Sequence, residues 1–504
     1  MKEEKGIPNA LLNFFKGPGG HSLIVKGSAG TGKTTFALQL TEELGSVENS
    51  YYMSIRVSDH SLYNQFPWLK DRVEFKKRIA PTRLDQKPEE EESKVDRTEL
   101  KKLEGRIEMG EEDESSIYDK ISEGEVTETS LILDLGSDLP EIDRAYDVVE
   151  DTLPEKSLIL IDSINALAER YGIHPSKLMN TLQKDLVETS SSDVLYVLES
   201  PGETRLDYLG DGVITFTSEE HEGRRLRIMK IEKLRGTEIR QHKCAYTLDG
   251  GRIKTFGFEK IEIPEEKSSW VPIPDISENW ISTGSEQLDA LTGGFKKGTI
   301  VALEVGGNVD TVYTDLIKTA LLSNFISLGR GVAFVPEKKA SSEIVRDEIM
   351  PFVGEEALER CMRVFEPSAT TSVEDSKIAL AMEGSDVDNE LKLSNIEYHL
   401  SQAKRPILSL MGFDTLEAVF GHQVIEDMAG HMSSIRKAKD IFIGIVTSTT
   451  SSTAPLANLA HTHLKIENID GSVVLFGEKP YTELHAISFD HSSGCPKAVL
   501  TPII

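Results

Sequence analysis

The octapeptide Gly27-Ser28-Ala29-Gly30-Thr31-Gly32-Lys33-Thr34 constrains this chain more than any other stretch. It satisfies G-x-x-x-x-G-K-[ST] at every fixed position, and its flanks supply the context that the pattern needs. Ser22-Leu23-Ile24-Val25 before it predicts a short buried strand. Thr35-Phe36-Ala37-Leu38-Gln39-Leu40 after it opens a helix with apolar residues at 36, 37, 40 and 44. Glycines let the backbone wrap tightly, so that N–H groups converge on a phosphate at the helix N-terminus. Lys33 adds a point charge for the outer phosphates, and the Thr34 hydroxyl is placed to ligate Mg²⁺. The expected phosphate-contacting set is Gly27, Ser28, Ala29, Gly30, Thr31, Gly32, Lys33, Thr34 and Thr35.

At 504 residues the chain predicts two or three domains. It has no apolar run long enough to cross a bilayer, and it opens Met1-Lys2-Glu3-Glu4-Lys5 rather than with a secretory signal. Cys244, Cys361 and Cys495 are scattered, with no C-x-x-C pair, which suits a reducing cytoplasm and neither a zinc site nor a disulfide framework. The formal charge of −28 argues against broad, sequence-independent nucleic-acid binding.

The first domain is expected to run to about residue 260, followed by a proline-rich, charged linker over 261–280 and a second domain over 281–504. The halves look alike. Leu158-Ile159-Leu160-Ile161-Asp162 is an apolar strand ending in a carboxylate, and Leu410-Met411-Gly412-Phe413-Asp414 has the same shape. Gly298 to Val305 reads as a strand, and Gly306 to Tyr313 stands where a second phosphate loop would be, without Gly-Lys-Thr and with Asp310 nearby. This predicts an α/β fold with mainly parallel sheets, duplicated in tandem, the second copy with a degenerate phosphate loop. Gln86 to Glu128 carries sixteen acidic against seven basic residues and reads either as a solvated surface insertion or as an acidic arm for a basic partner. Arg224, Arg225, Arg227, Lys230, Lys233, Arg235, Arg240 and Lys243 read either as the wet face of a hairpin or as a basic functional segment.

These features resemble the KaiC-like and RadA-like branch of the RecA-type ATPases. Ile281-Ser282-Thr283-Gly284 with Leu288-Asp289 looks like the opening of such a domain, and Lys233-Leu234-Arg235-Gly236-Thr237 looks like its Lys-x-Arg-Gly segment. Ser54-Ile55-Arg56-Val57-Ser58, Leu62 to Leu69, Gly477-Glu478-Lys479-Pro480 and Pro496 to Pro502 are more similar still to the archaeal GvpD gas vesicle family. The resemblance implies an ATP- and Mg²⁺-binding core, in an assembly where one subunit completes its neighbour's site. It implies that Asp162 holds the metal's water shell, with Thr34 as a direct ligand, and that Lys233 and Arg235 reach a neighbouring subunit's γ-phosphate. GvpD relatives are linked to repression of gas vesicle genes through an activator protein, which implies a regulatory protein with a protein partner.

Three positions depart from the KaiC-type pattern. The usual acidic pair after the second strand is replaced by Arg56 and Val57; Ile239 stands where some relatives carry a histidine; and the second half has Glu337 near the acidic position but Pro480 and Tyr481 after Lys479. A missing general base removes a contribution of about 10²–10⁴-fold, so weak ATP hydrolysis is expected. The competing expectation is a DNA-dependent, recombinase-like ATPase of the RadA-paralogue type, with the basic segment 224–243 in its favour.

Overall fold

Leu23-Ile24-Val25, Leu158-Ile159-Leu160-Ile161 and Val194-Leu195-Tyr196-Val197 are apolar at successive rather than alternate positions, the pattern of strands covered on both faces. Each of these side chains is 2% exposed or less. In the computed structural model, which describes residues 6–45, 49–54, 59–66, 68, 139–202, 204–257, 261, 266–368 and 377–504, they form the centre of a parallel sheet. The acidic segment 86–128, Arg56 and Val57 lie outside the described residues.

The strands are β1 (Ser22–Gly27), β2 (Ser50–Ser54), β3 (Leu158–Asp162), β4 (Asp193–Val197), β5 (Gly212–His221) and β6 (Arg224–Leu234), in the order β2-β3-β4-β1-β5-β6. The pairs β2/β3, β3/β4, β4/β1 and β1/β5 are parallel. β5 and β6 form a hairpin that turns at Glu222-Gly223, where φ is +47° and +75°, as a two-residue turn matching the strand twist requires. β7 (Lys243–Thr247) and β8 (Lys254–Phe256) follow in sequence.

Helices are cut by recognisable caps. Pro140–Thr152 starts on proline and buries Ile142, Ala145 and Val149, three positions of one stripe. Ile164–Tyr171 is opened by Ser163, whose hydroxyl accepts from Ala166 N–H, and closed by left-handed Gly172. Together with β1, β3 and β4 these helices enclose one core around Ile24, Ile159, Ile161, Leu167 and Tyr196.

The chain divides into two compact units: residues 1–218, 227–243 and 250–255, and residues 219–226, 244–249 and 256–504. The second unit contains a short antiparallel pair, β9 (Trp280–Ile281) and β10 (Phe295–Lys296), and a large sheet. The latter comprises β11 (Ile300–Val305), β12 (Arg330–Val335), β13 (Met362–Pro367), β14 (Ala379–Met382), β15 (Lys404–Gly412), β16 (Ile441–Thr447), β17 (Thr462–Ile469), β18 (Ser472–Lys479), β19 (His485–Asp490) and β20 (Lys497–Pro502). Its order is β14-β13-β12-β15-β16-β11-β17-β18-β19-β20, parallel as far as β17 and antiparallel beyond it. Taking β11, β12, β15, β16 and β17 as a series of five, the order second-third-fourth-first-fifth occurs in both large sheets.

One local expectation changes. β15 stops at Gly412, so Asp414 does not end a strand as Asp162 does. It sits in the first turn of the helix Phe413–Phe420, where its carboxylate accepts from the N–H groups of Thr415 (2.8 Å) and Lys338 (3.1 Å). The helix begins at Phe413, one residue after the strand ends, and a Cβ on Gly412 would lie 3.0 Å from the Glu337 backbone nitrogen.

Candidate functional site

β1 delivers the chain into the glycine loop at Gly27, and the helix Lys33–Leu44 takes it out. Gly27, Gly30 and Gly32 have φ of +155°, +76° and +89°. A Cβ on Gly27 would lie 2.6 Å from the Phe216 carbonyl oxygen and 2.7 Å from Thr31 Oγ1, so only glycine fits there. The Thr31 hydroxyl donates to the Ser28 carbonyl at 2.8 Å and ties the loop across itself.

The helix Lys33–Leu44 begins on left-handed Gly32 with no side-chain cap among the described residues. Its first N–H groups therefore face the loop as open donors, which is what an anion requires. Lys33 Nζ donates to the carbonyls of Gly27 (2.7 Å) and Ser28 (2.8 Å). Burial lowers its pKa, with the carboxylates of Asp162 and Glu199 opposing that shift. Thr34 Oγ1 donates to Asp162 Oδ2 at 2.6 Å, and the Tyr52 hydroxyl donates to the same oxygen at 3.0 Å. Burial, and then the Asp162 charge, push the Tyr52 pKa well above its ordinary value, so it stays a donor. A hydroxyl and a carboxylate at one point beside a lysine fit a hard, oxygen-seeking cation such as Mg²⁺ accompanying a phosphate.

The structure thus brings together Gly27 to Thr35 and Asp162. It does not bring Lys233 and Arg235 to this chain's own loop. Arg235 is largely exposed and pairs with Asp211 Oδ1 at 2.7 Å, and Asp211 Oδ2 also binds Ser22, where β1 begins, at the sheet end opposite the loop. Lys233 Nζ donates to the Asp207 carbonyl at 3.3 Å.

Two residues near the loop had no place in the site expected from sequence: Arg227, read only as one of the basic segment, and Glu199. Arg227 on β6 is 7% exposed, and its Nη1 donates to the Gly30 carbonyl at 3.1 Å. The eight basic residues of the segment do not form one wet face. Arg224 is 1% exposed, and within the second unit its guanidinium donates to the carbonyls of Thr482 (2.6 Å) and Gly477 (2.8 Å) and lies over the Tyr481 ring. The signal was available: basic residues at 224, 225, 227 and 230 fall on both parities of a strand, so one face cannot hold them all. The second residue is Glu199, two positions past the end of β4.

In the second unit the helix Thr311–Ser327 starts differently. Asp310 is its N-cap, its carboxylate accepting from Val312 N–H at 3.1 Å. Glu337 accepts from Lys318 Nζ at 2.8 and 3.0 Å, and Asp315 lies 2.9 Å from the same ammonium. Burial works against the Lys318 charge, but these carboxylates outweigh it and raise its pKa. Elsewhere in that unit His221, Glu222 and Glu467 offer ligand atoms within 4.8 Å of one another; Lys465 Nζ, 3.0 Å from Glu222, already pairs with one of the two carboxylates.

Comparison with known proteins identifies a P-loop domain over this part of the chain. Residues 11–232 match the family described as GvpD gas vesicle protein, P-loop domain, and residues 269–504 match GvpD basic region 2. Two proteins of Halobacterium salinarum are similar along their whole length. Protein GvpD2 is 24% identical over 99% of this chain and 96% of its own, and Protein GvpD1 is 22% identical over 99% and 97%. A glycine loop of the required geometry, inside the part of the chain that matches the P-loop domain and followed by a match to the second GvpD region, makes this chain a member of the GvpD gas vesicle protein family.

Proposed function

We propose that the chain is an ATP-binding regulatory protein of the KaiC/GvpD-like type, working in the cytoplasm, in which nucleotide state controls self-assembly or the capture of a protein partner. The observation that carries this reading is the contrast between two helix starts. The helix at Lys33 is uncapped by any described side chain and has a lysine and a Thr34–Asp162 pair beside it. The helix at Thr311 is closed by Asp310, which takes one of the donors an anion would need and adds negative charge. On this reading the two units are tandem KaiC-like domains, the second with a degenerate loop, and one ATP binds per chain.

In the first unit the loop N–H groups and Lys33 hold the phosphates. Thr34 and Asp162 hold the metal, Asp162 through water. Bound Mg²⁺ would neutralise charge on the phosphate oxygens. Tyr52 fixes the Asp162 carboxylate by its 3.0 Å hydrogen bond. Lys233 and Arg235 would serve a neighbouring subunit's γ-phosphate in a homo-oligomer, Arg235 exchanging Asp211 and Lys233 the Asp207 carbonyl for it. Hydrolysis is slow because Arg56 and Val57 stand where an acidic pair would activate water.

Sedimentation velocity without nucleotide, with Mg-ADP and with Mg-ATP tests the proposal, alongside phosphate release with and without duplex DNA. A change of assembly between ADP and ATP with DNA-indifferent release supports it. Identical sedimentation in all three states, with release accelerated by DNA, would replace it with the recombinase-like reading.

A further inference from the structure

We infer that Glu199 supplies the water-holding carboxylate that the segment after β2 lacks, reaching the terminal phosphate from the end of β4. The inference rests on the nucleotide-binding reading above and concerns a residue which that reading leaves unused.

The argument begins with the sheet order. β4 lies between β1, which carries the glycine loop, and β3, which carries Asp162. Val197 is level with Val25 on one side and with Asp162 on the other. Leu198 N–H still bonds the Val25 carbonyl at 2.8 Å, so the chain holds its course one residue further. Glu199 is the next residue, where the chain bends past the end of β4. It thus follows β4 at the sheet end where β1 passes into the loop at Gly27 and β3 ends at Asp162, the side where phosphates would rest. Its side chain is exposed, whereas Leu198 before it is buried.

Their places separate their roles. Asp162 ends β3 and is engaged by Thr34 at 2.6 Å and Tyr52 at 3.0 Å, the arrangement of a metal-holding group. Glu199 is exposed to solvent past the end of β4, where an attacking water would arrive. In the step assigned to it, the water oxygen bonds the terminal phosphorus of ATP. The bond from that phosphorus to the bridging oxygen breaks, its electron pair leaving on ADP. One water proton passes to the Glu199 carboxylate and from there to the released phosphate, so that ATP and water give ADP and phosphate with the carboxylate regenerated.

The test compares full-length wild type, Glu199→Gln and Glu199→Asp. Calorimetry with Mg-ATP and Mg-ADP should give affinities within about threefold of wild type in both variants, because Glu199 does not hold the phosphates. Phosphate release should fall about 100-fold in Glu199→Gln and recover in part in Glu199→Asp. A second readout is binding: aluminium fluoride, which mimics the planar phosphoryl group with its axial water, should tighten Mg-ADP binding in wild type and not in Glu199→Gln. Phosphate release by Glu199→Gln at the wild-type rate, an unchanged fluoride effect, or no release by wild type would overturn the inference while leaving nucleotide binding intact. Absence of Mg-ATP binding in wild type would instead remove the reading beneath it.

Discussion

Lys26, the residue before the glycine loop, should show an asymmetric dependence on its partners. Its side chain is 0% exposed and has three neighbours: Asp207 Oδ2 at 2.7 Å, Glu232 Oε2 at 3.5 Å and the Gly202 carbonyl at 3.4 Å. The carboxylates reach water, Asp207 being 16% and Glu232 23% exposed. Breaking a buried pair by removing one partner costs about 3–5 kcal/mol when the remaining charge is trapped. Asp207→Asn traps the ammonium, relieved only by Glu232 at the longer distance, so the low end applies, about 3 kcal/mol. The asparagine keeps an acceptor for Thr204, whose N–H and hydroxyl bond Asp207 at 3.1 and 3.0 Å, so little of the loss comes from the lost cap. Lys26→Met leaves carboxylates that solvent can reach and adds an apolar side chain to a dry position, costing about 1 kcal/mol or less. Hydrogen exchange of the β1 amides reads this unit without requiring a two-state transition of the whole chain. Exchange should speed up about a hundredfold in Asp207→Asn and only a few-fold in Lys26→Met. A larger effect from Lys26→Met than from Asp207→Asn would refute the reasoning, because the cost would then follow the contact rather than the trapped charge.

Arg227→Ala should weaken Mg-ATP binding about tenfold by freeing the Gly30 carbonyl, one charged hydrogen bond being worth about 1.5–3 kcal/mol before the loop relaxes; calorimetry on the folded variant checks it, and unchanged affinity would remove Arg227 from the site. Burial pushes the Asp193 pKa up to about 7, against the pull of Lys156 at 2.8 Å. Between the unfolded value near 4 and that value the folded state keeps a proton the unfolded state has released, so this group's contribution to stability falls as pH rises from about 4 to about 7 and is flat above. Urea midpoints for wild type and Asp193→Asn across that range should converge toward low pH; a gap that widens toward low pH has the wrong sign. Arg56→Glu or Val57→Glu should raise phosphate release, and turnover by the unmodified chain at ordinary enzyme rates, on the order of ten per second, would end the account of slow hydrolysis.

The loop was legible because its chemistry is local. A glycine pattern, the strand before it and the helix after it lie within about twenty residues, and β1 and Lys33–Leu44 fall where spacing put them. β3 was legible for the same reason, an unbroken apolar run ending at Asp162. What could not be read depended on residues distant in sequence. Glu199 gains meaning only because β4 inserts between β1 and β3, an order fixed by pairing between strands that are remote in the chain. Arg227 reaches Gly30 across 197 positions, and Arg224 is buried by carbonyls more than 250 positions away. Asp414 looked like Asp162 by composition, but its strand ends at Gly412 and a helix begins at Phe413.

The central claim is that the loop at Gly27–Thr34 binds nucleotide and the region at Gly306–Tyr313 does not. Calorimetric titration of full-length wild type and Lys33→Ala with Mg-ATP, each variant checked for cooperative melting, addresses it directly. Lys33→Ala removes the ammonium beside the loop and should leave the sheet intact, because Lys33 Nζ bonds the loop carbonyls of Gly27 and Ser28. The account predicts one ATP per wild-type chain and none measurable for folded Lys33→Ala. Two ATP per chain, or unchanged affinity in the folded variant, would contradict it.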